Sequence, residues 1–188
     1  MGSKGNAFTL TFAAMGIVIN IVFGTAVNML HLPLLYLDTI GTIFTAVVLG
    51  PWYGALTGGL TNVIQGVLTN PKDIPFALVN IAIGLIVGFV ARKYKFNFKM
   101  AMIVGCVLAV VAPLIGTPIA VWIYGGITGD GNDIIFTWLA KSGQTIFTAA
   151  FIPRITGNIL DKLVSCFLVA LLIDRIPSRF IKGSSTNA

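Results

Sequence analysis

Residues 98–124 read FKMAMIVGCVLAVVAPLIGTPIAVWIY, an apolar stretch in which Lys99 is the one charged residue. A helix needs roughly 20 apolar residues to cross about 30 Å of hydrocarbon, and this stretch is long enough. A basic segment, 92–99, precedes most of it, and a glycine-rich segment, 125–133, follows it. The sequence therefore predicts a transmembrane helix at 98–124.

The same pattern, followed outward along the chain, predicts five more spans. They lie at 8–30, 34–49, 52–69, 74–91 and 156–173. The breaks between them hold Pro and Gly, which end helices or turn the chain. We therefore expect an all-α integral membrane protein: a six-helix transmembrane bundle in one membrane domain over residues 1–188, ordered over about 7–182.

The composition favours lipid as the surrounding solvent. Apolar residues make up 56% of the chain and charged residues 10%, with a mean hydropathy of +0.95. Soluble domains carry about 25% charged residues. The net charge of +6 does not indicate nucleic acid, because Lys and Arg lie at the ends of apolar runs, as membrane-surface anchors do. No metal-ligand spacing is visible, so we expect neither a metal nor a cofactor.

Lys and Arg also predict the orientation, because cytoplasmic ends of membrane helices are enriched in them. If the N-terminus is cytoplasmic, eight of these residues lie inside and three outside, so we expect both termini to be cytoplasmic. The inner group is Lys4, Arg92, Lys93, Lys95, Lys99, Arg175, Arg179 and Lys182, and the outer group is Lys72, Lys141 and Arg154.

Residues 134–152 are apolar enough to suggest a seventh span. Their centre, however, reads KSGQ at 141–144, which is costly in lipid. Ile134, Ile135, Trp138 and Leu139 can share one face of a helix. We therefore expect residues 125–155 to form an extracellular loop whose amphipathic segment covers the outer end of the bundle.

Strongly polar side chains gather in the outer halves of the predicted spans. Each of them has a desolvation cost in lipid, so their location is informative. The inner halves lack Asn, Gln, Asp, Lys and His, with Asn20 as the innermost exception. This distribution predicts a site for a small ring compound that opens to the outside. The candidate binding residues are Tyr36, Asp38, Asn62, Gln65, Asn80, Trp122, Tyr124, Asn158, Asp161 and Lys162.

Several of these residues have a structural interpretation as well. Asp38 could brace the start of the second helix, and Lys162 could reach towards the outer interface. Trp122 and its neighbour Tyr124 could belong to the aromatic belt of the membrane surface. An amide within an apolar stretch, such as that of Asn80, must bond either to a neighbouring helix or to a ligand.

Small residues mark faces on which helices can approach closely. GxxxG pairs occur at 54–58 and 84–88. Such a face can pack inside the bundle or dock a partner membrane subunit. The predicted docking face is on the first helix and consists of Ala13, Gly16, Asn20 and Gly24.

Motifs of catalysis are missing from the sequence. It has no phosphate-binding GxxxxGK[ST] loop, no HExxH, no nucleophile elbow and no carboxylate pair with catalytic spacing. We therefore expect a binding subunit with no catalytic residues, and ATP hydrolysis by other chains. A stand-alone ion-coupled carrier and a membrane enzyme remain the alternatives.

Two local patterns resemble one transporter family. Asp38, Gly41 and Thr42 lead into the segment 49–54, and residues 157–162 open the last span. Together they resemble the substrate-binding S component of energy-coupling factor (ECF) transporters, the vitamin-uptake systems of bacteria, over essentially the whole chain. The resemblance implies a multi-pass protein of the bacterial cytoplasmic membrane, with a vitamin near the outer face beneath the loop between helices 1 and 2.

The resemblance also implies partners and a ligand class. The partners are a membrane T subunit and two cytoplasmic ATPases, in an ABC-type uptake complex. This sequence departs from the AxxxA pair that the family often carries on helix 1, because Ile17 follows Ala13 and Val18 follows Ala14 at the fourth place. Among the vitamins, pyridoxine or hydroxymethylpyrimidine is favoured, and riboflavin, pantothenate, thiamine and cobalamin remain open.

Overall fold

The computed structural model of the chain describes residues 3–129 and 131–176, and every regular element in that part is helical. Residues 177–182 of the predicted ordered region, with Arg179 and Lys182, lie outside the described residues. The elements are α1 (Ser3–Met29), α2 (Ile40–Leu49), α3 (Pro51–Leu68), a 3₁₀-helix (Pro71–Phe76), α4 (Ala77–Lys93), α5 (Phe98–Tyr124), α6 (Asp133–Lys141) and α7 (Ile146–Ile173).

Four segments of the described chain are long and apolar enough to cross a membrane. They are Ala7–Met29, Pro71–Lys93, Phe98–Tyr124 and Ile146–Ile173. α3 has 18 residues and α2 only 10. At a rise of 1.5 Å per residue, α2 is about 15 Å long, roughly half the hydrocarbon thickness.

The second predicted helix, 34–49, is wrong in its first part, because the structure begins α2 at Ile40. Between α1 and α2 the chain forms an irregular segment, 30–39, which we call the outer loop. His31, Leu34 and Leu37 have positive φ there, at 47°, 62° and 52°. A right-handed helix cannot include such residues, so α2 begins only after the last of them.

The start predicted for the last span, residue 156, is also wrong, because α7 begins at Ile146. Its N-cap is Thr145, whose hydroxyl accepts a hydrogen bond from the Thr148 amide at 3.2 Å. The polar sequence 141–144 ends α6 and forms the turn before α7. Residues 146–155 therefore form the first turns of a long helix rather than part of an external loop.

The amphipathic segment predicted at 134–152 is represented by α6 alone. Its buried side chain is Phe136, which packs with Ala149 and Ala150 of α7. Ile134 and Trp138 are 80% and 69% exposed, so they do not form a face packed on the bundle.

An apolar core fills one end of the bundle. It joins α2, α4, α5 and α7 through fully buried side chains such as Ile43, Ile83, Leu108 and Val169. α2 is enclosed by this core, since nine of its ten residues are buried. α2 and α4 run into this end and α5 starts from it, so their other ends, with the outer loop, lie at the opposite side of the bundle.

The structure turns the predicted docking face of α1 inward. Ala13 is 7% exposed and Asn20 is fully buried. A Cβ added to Gly16 would meet Thr45 and Gly41 of α2, and one added to Gly24 would lie 3.1 Å from the Asp38 Cβ. These small residues seat α1 against α2, α3 and the outer loop. The side of α1 that remains exposed carries larger residues such as Met15, Val18 and Val22.

Replacing Gly84 with Ala is expected to destabilise the seam between α3 and α4. A Cβ there would meet the Gly54 carbonyl carbon and the Ala55 nitrogen, which are backbone atoms that cannot rotate away. The expected cost is about 1–3 kcal/mol of unfolding free energy, typical of overpacking. The matched control is Gly116→Ala on α5, whose new Cβ would find its nearest neighbour at 3.5 Å. Thermal unfolding in detergent tests the pair, and equal stabilities would contradict this packing.

Candidate functional site

A cavity of about 220 Å³ lies at the end of the bundle opposite the apolar core. Its walls come from α1, the outer loop, α3, the 3₁₀-helix, α4, α5 and α7, together with Thr128 and Gly131. Several elements end at this side of the bundle, which lets their polar residues share one space. The outer loop contributes Leu35, Tyr36 and Asp38 to the cavity wall.

Most of the predicted binding residues come together at this cavity. Asp161 lies directly behind the wall, whereas the structure does not bring Trp122 or Tyr124 to the cavity. The predicted residues that line it are Tyr36, Asp38, Asn62, Gln65, Asn80, Asn158 and Lys162.

Lys162 is the centre of a buried ion cluster. Its Nζ donates to Asp161 Oδ2 at 2.6 Å and to Thr39 Oγ1 at 3.1 Å, and lies 3.6 Å from Asp38 Oδ1. Lys162 is 2% exposed and Asp161 is fully buried. The interpretation that Lys162 reaches towards the outer interface is thus wrong, because its ammonium group is held inside the protein.

Asp161 positions the outer loop rather than facing the cavity. Its Oδ1 accepts hydrogen bonds from the backbone amides of Tyr36, at 2.9 Å, and Leu37, at 2.7 Å. With Oδ2 on Lys162, both carboxylate oxygens are engaged inside the protein. Charge-assisted hydrogen bonds of this kind are stronger than neutral ones. They help to offset the strain of the positive-φ residue Leu37.

Asn132 fixes a second point of the outer loop. Its Oδ1 accepts from the Leu34 amide at 3.2 Å, and its Nδ2 donates to the Tyr36 hydroxyl at 2.8 Å. Asn132 is 3% exposed and precedes α6. The outer loop is thus held from two directions, by α7 and by the segment that leads into α6.

The two amides of Asn80 and Asn158 each have a helical partner and also line the cavity. Asn80 Nδ2 donates to Asn62 Oδ1, which joins α4 to α3. Asn158 Nδ2 donates to the Arg154 carbonyl within α7 at 2.8 Å. Asn80 therefore bonds a neighbouring helix and Asn158 bonds its own helix, and a ligand contact of either residue stays a prediction.

Trp122 and Tyr124 lie elsewhere, at the end of α5. Trp122 is 86% exposed, as an aromatic-belt residue would be. The Tyr124 hydroxyl donates to Asp73 Oδ1 at 2.7 Å and accepts from Asn70 at 2.8 Å, so it fastens α5 to the 3₁₀-helix. Neither residue lines the cavity, to which α5 presents Ala112, Pro113 and Gly116 instead.

Sequence reasoning missed Arg154, Asp73 and Thr128, which also line the cavity. Arg154 is 6% exposed and donates to the Ala150 carbonyl, the Gly126 carbonyl and Thr128 Oγ1, at 3.0–3.2 Å. It ties the segment after α5 to α7. Residues 154, 158 and 162 share a helical face at i, i+4 and i+8, and this spacing was the signal available in the sequence.

Within residues 3–129 and 131–176, no three His, Cys, Asp or Glu side chains are grouped to hold a metal ion.

A scan against families of known proteins finds a match that covers most of the chain. The family model for the ECF transporter substrate-specific component matches residues 8–173. No curated protein and no solved structure matches the chain. The matched residues include α2 to α7 and nearly all of α1, and with them every described wall of the cavity. The chain therefore belongs to the substrate-specific components of ECF transporters, membrane-embedded subunits that bind the transported substrate.

Proposed function

We propose that this chain captures a vitamin from outside a bacterial cell, in the cavity beneath the outer loop, as the S subunit of an ECF-type uptake transporter. The observation that carries this proposal is the division of the bundle into a polar cavity at one end and an apolar core at the other. In that arrangement the cavity opens to the extracellular side and the core faces the cytoplasm.

The division favours a receptor over a self-sufficient carrier. An alternating-access carrier needs polar groups that serve the ligand along its whole path. Below the cavity, α2, α4, α5 and α7 instead meet through side chains such as Val48, Val87, Val104 and Val169. Delivery to the cytoplasm then requires a partner, namely the T subunit and two ATPases that the family resemblance implies.

We propose six membrane crossings and cytoplasmic termini for this single membrane domain. The four long apolar segments supply four crossings, and α3 and the pair formed by the outer loop and α2 supply the others. Loop backbone at membrane depth must be satisfied by protein groups, as Asp161 and Asn132 satisfy three amides of the outer loop. Arg92, Lys93, Lys95 and Lys99 at the opposite end support a cytoplasmic location for that end.

The cavity favours a small ligand. Its volume of about 220 Å³ is below the range of roughly 300–1,000 Å³ typical of pockets for drug-sized molecules. A single heteroaromatic ring such as pyridoxine or hydroxymethylpyrimidine suits this size better than cobalamin does. The amide-rich lining supplies hydrogen bonds for ring substituents, and Phe76 supplies an aromatic face.

Native mass spectrometry tests the proposal directly. The protein purified from rich medium, without ATPase subunits, is expected to carry one small molecule. Val79→Trp, on the cavity wall, should lose that mass because the larger side chain fills the ligand space. The neighbouring Leu78→Trp should keep it, since Leu78 is 59% exposed and outside the lining. A wild-type protein that carries no ligand and binds no B vitamin in titrations would contradict the proposal.

A further inference from the structure

The outer loop consists of two halves that are held by hydrogen bonds of different strength. In the second half, 36–39, two backbone amides donate to the carboxylate of Asp161, which is fully buried. In the first half, 30–35, the Leu34 amide donates to the neutral side chain of Asn132 at 3.2 Å. Charge-assisted hydrogen bonds are roughly twice as strong as neutral ones. The first half is therefore the part of the loop that opens more readily.

Two glycines approach the backbone of the first half closely. A Cβ on Gly157 of α7 would lie 3.1 Å from the Leu34 Cα, and one on Gly131 would lie 2.9 Å from the Pro33 nitrogen. The first half can leave the cavity wall only if one of these contacts is broken. Because α7 belongs to the apolar core, the contact that can break is the one with Gly131 and its neighbour Asn132.

The backbone of the first half is strained, which also favours its opening. His31 and Leu34 have φ of 47° and 62°. Positive φ is unfavourable for residues that carry a Cβ, and such conformations persist only where surrounding contacts hold them. The contact at Leu34 is its hydrogen bond to Asn132. Loss of this bond would allow the backbone at Leu34 to relax into a different conformation.

Asn132 acts on the cavity through the outer loop rather than by lining it. It is 3% exposed and is not among the residues of the cavity wall. Its Nδ2 donates to the Tyr36 hydroxyl at 2.8 Å, and Tyr36 lines the cavity together with Leu32 and Leu35 of the first half. Asn132 therefore fixes the position of wall residues without occupying the ligand space.

We infer that Asn132 is a positioning residue for ligand exchange, because it holds the half of the outer loop that moves when a ligand enters or leaves the cavity. This inference rests on the proposed function. Entry and exit use the same movement, so weaker holding of the loop speeds both. A residue that contacts the ligand behaves differently, since its loss speeds dissociation and leaves association nearly unchanged.

Rate constants of association and dissociation test the inference on the full chain in detergent. The probe is radiolabelled hydroxymethylpyrimidine, then pyridoxine, and failing both the compound that co-purifies. Asn132→Ala should raise both rate constants about tenfold, because two hydrogen bonds are lost, and should change the dissociation constant less than about threefold. Asn132→Asp should restore slow exchange, since a carboxylate accepts from both the Leu34 amide and the Tyr36 hydroxyl. The control Thr137→Ala removes an exposed hydrogen bond within α6 and should match the wild type.

Hydrogen–deuterium exchange provides a second measurement that needs no ligand. In Asn132→Ala the Leu34 amide should exchange about tenfold faster than in the wild type, because local opening exposes it to water. The amides of Tyr36 and Leu37 should change less, since Asp161 still accepts from them.

The outcomes separate this inference from the proposed function. A Leu34 amide that exchanges no faster in folded Asn132→Ala overturns the inference while ligand capture stands. A dissociation rate that rises while the association rate stays at its wild-type value overturns it as well. A wild-type chain that binds neither vitamin and carries no compound refutes the proposed function itself, even if the Leu34 amide exchanges faster in the variant.

Discussion

Replacing Lys162 with Met is expected to lower the free energy of unfolding by about 3–5 kcal/mol, the usual cost of removing one partner from a buried ion pair. The side chain of Met fills much of the space of the lysine stem but carries no charge. Without the ammonium group, Asp161, which is fully buried, and Asp38 would be two carboxylates facing the same space. Thermal unfolding of the purified protein measures the loss.

A rescue variant separates charge from packing. Lys162→Met combined with Asp161→Asn and Asp38→Asn leaves no charge in the cluster, so it should recover much of the lost stability. Ligand binding should recover less, because Asp38 lines the cavity and its carboxylate is lost. If Lys162→Met alone were as stable as the wild type, the ion cluster would have no structural role.

Asn20→Leu is expected to be the second most damaging change, at several kcal/mol. Asn20 is fully buried, and its Oδ1 accepts from the amides of Gly41, at 2.7 Å, and Thr42, at 3.3 Å. Its Nδ2 donates to the hydroxyls of Thr42 and Thr61. Leucine would leave two amides in the first turn of α2 without an acceptor, because Thr39 provides no side-chain cap. Each buried amide without a hydrogen bond costs about 1–3 kcal/mol.

The control for this change is Asn97→Ala. Asn97 also caps a helix, since its Oδ1 accepts from the Met100 amide at 3.0 Å, but at an exposed position. Water can replace this cap, so the cost should be about 1 kcal/mol. If Asn20→Leu and Asn97→Ala lowered the stability by similar amounts in thermal unfolding, burial of the Asn20 cap would make no extra contribution to stability.

Sequence alone predicted those elements whose boundaries are set locally. The span at 98–124 is confirmed as a helix at both ends. Asn97 caps its start, and Gly125, with φ of 65°, ends it in the left-handed conformation. Such signals lie next to the helix that they limit, so they can be found without knowledge of the rest of the fold.

The start of α2 could not be predicted in this way, because its determinants are distant in sequence. Its cap is Asn20 on α1, and the outer loop before it is held by Asp161 on α7 and by Asn132. The same limit applies to the small residues of α1. Gly16 indicates that a backbone comes close, but only the tertiary structure identifies it as that of Gly41.

The gathering of polar residues at one end could be predicted, because desolvation restricts where they lie. The sequence did not indicate which of these polar residues face the cavity. Asp161 and Lys162 are adjacent, yet one holds the outer loop and the other reaches the cavity wall. Arg154 was overlooked because the helix that carries it was expected to begin later.

The enclosure of α2 has a consequence for the lipids around this protein. Hydrophobic mismatch acts on helices that contact acyl chains, and these respond to thicker or thinner bilayers by tilting. α2 is too short to match any bilayer, but it is shielded by its neighbours and has almost no lipid contact. A change in acyl-chain length therefore affects the tilt of the peripheral helices, whereas α2, which starts beneath the cavity, is shielded from it.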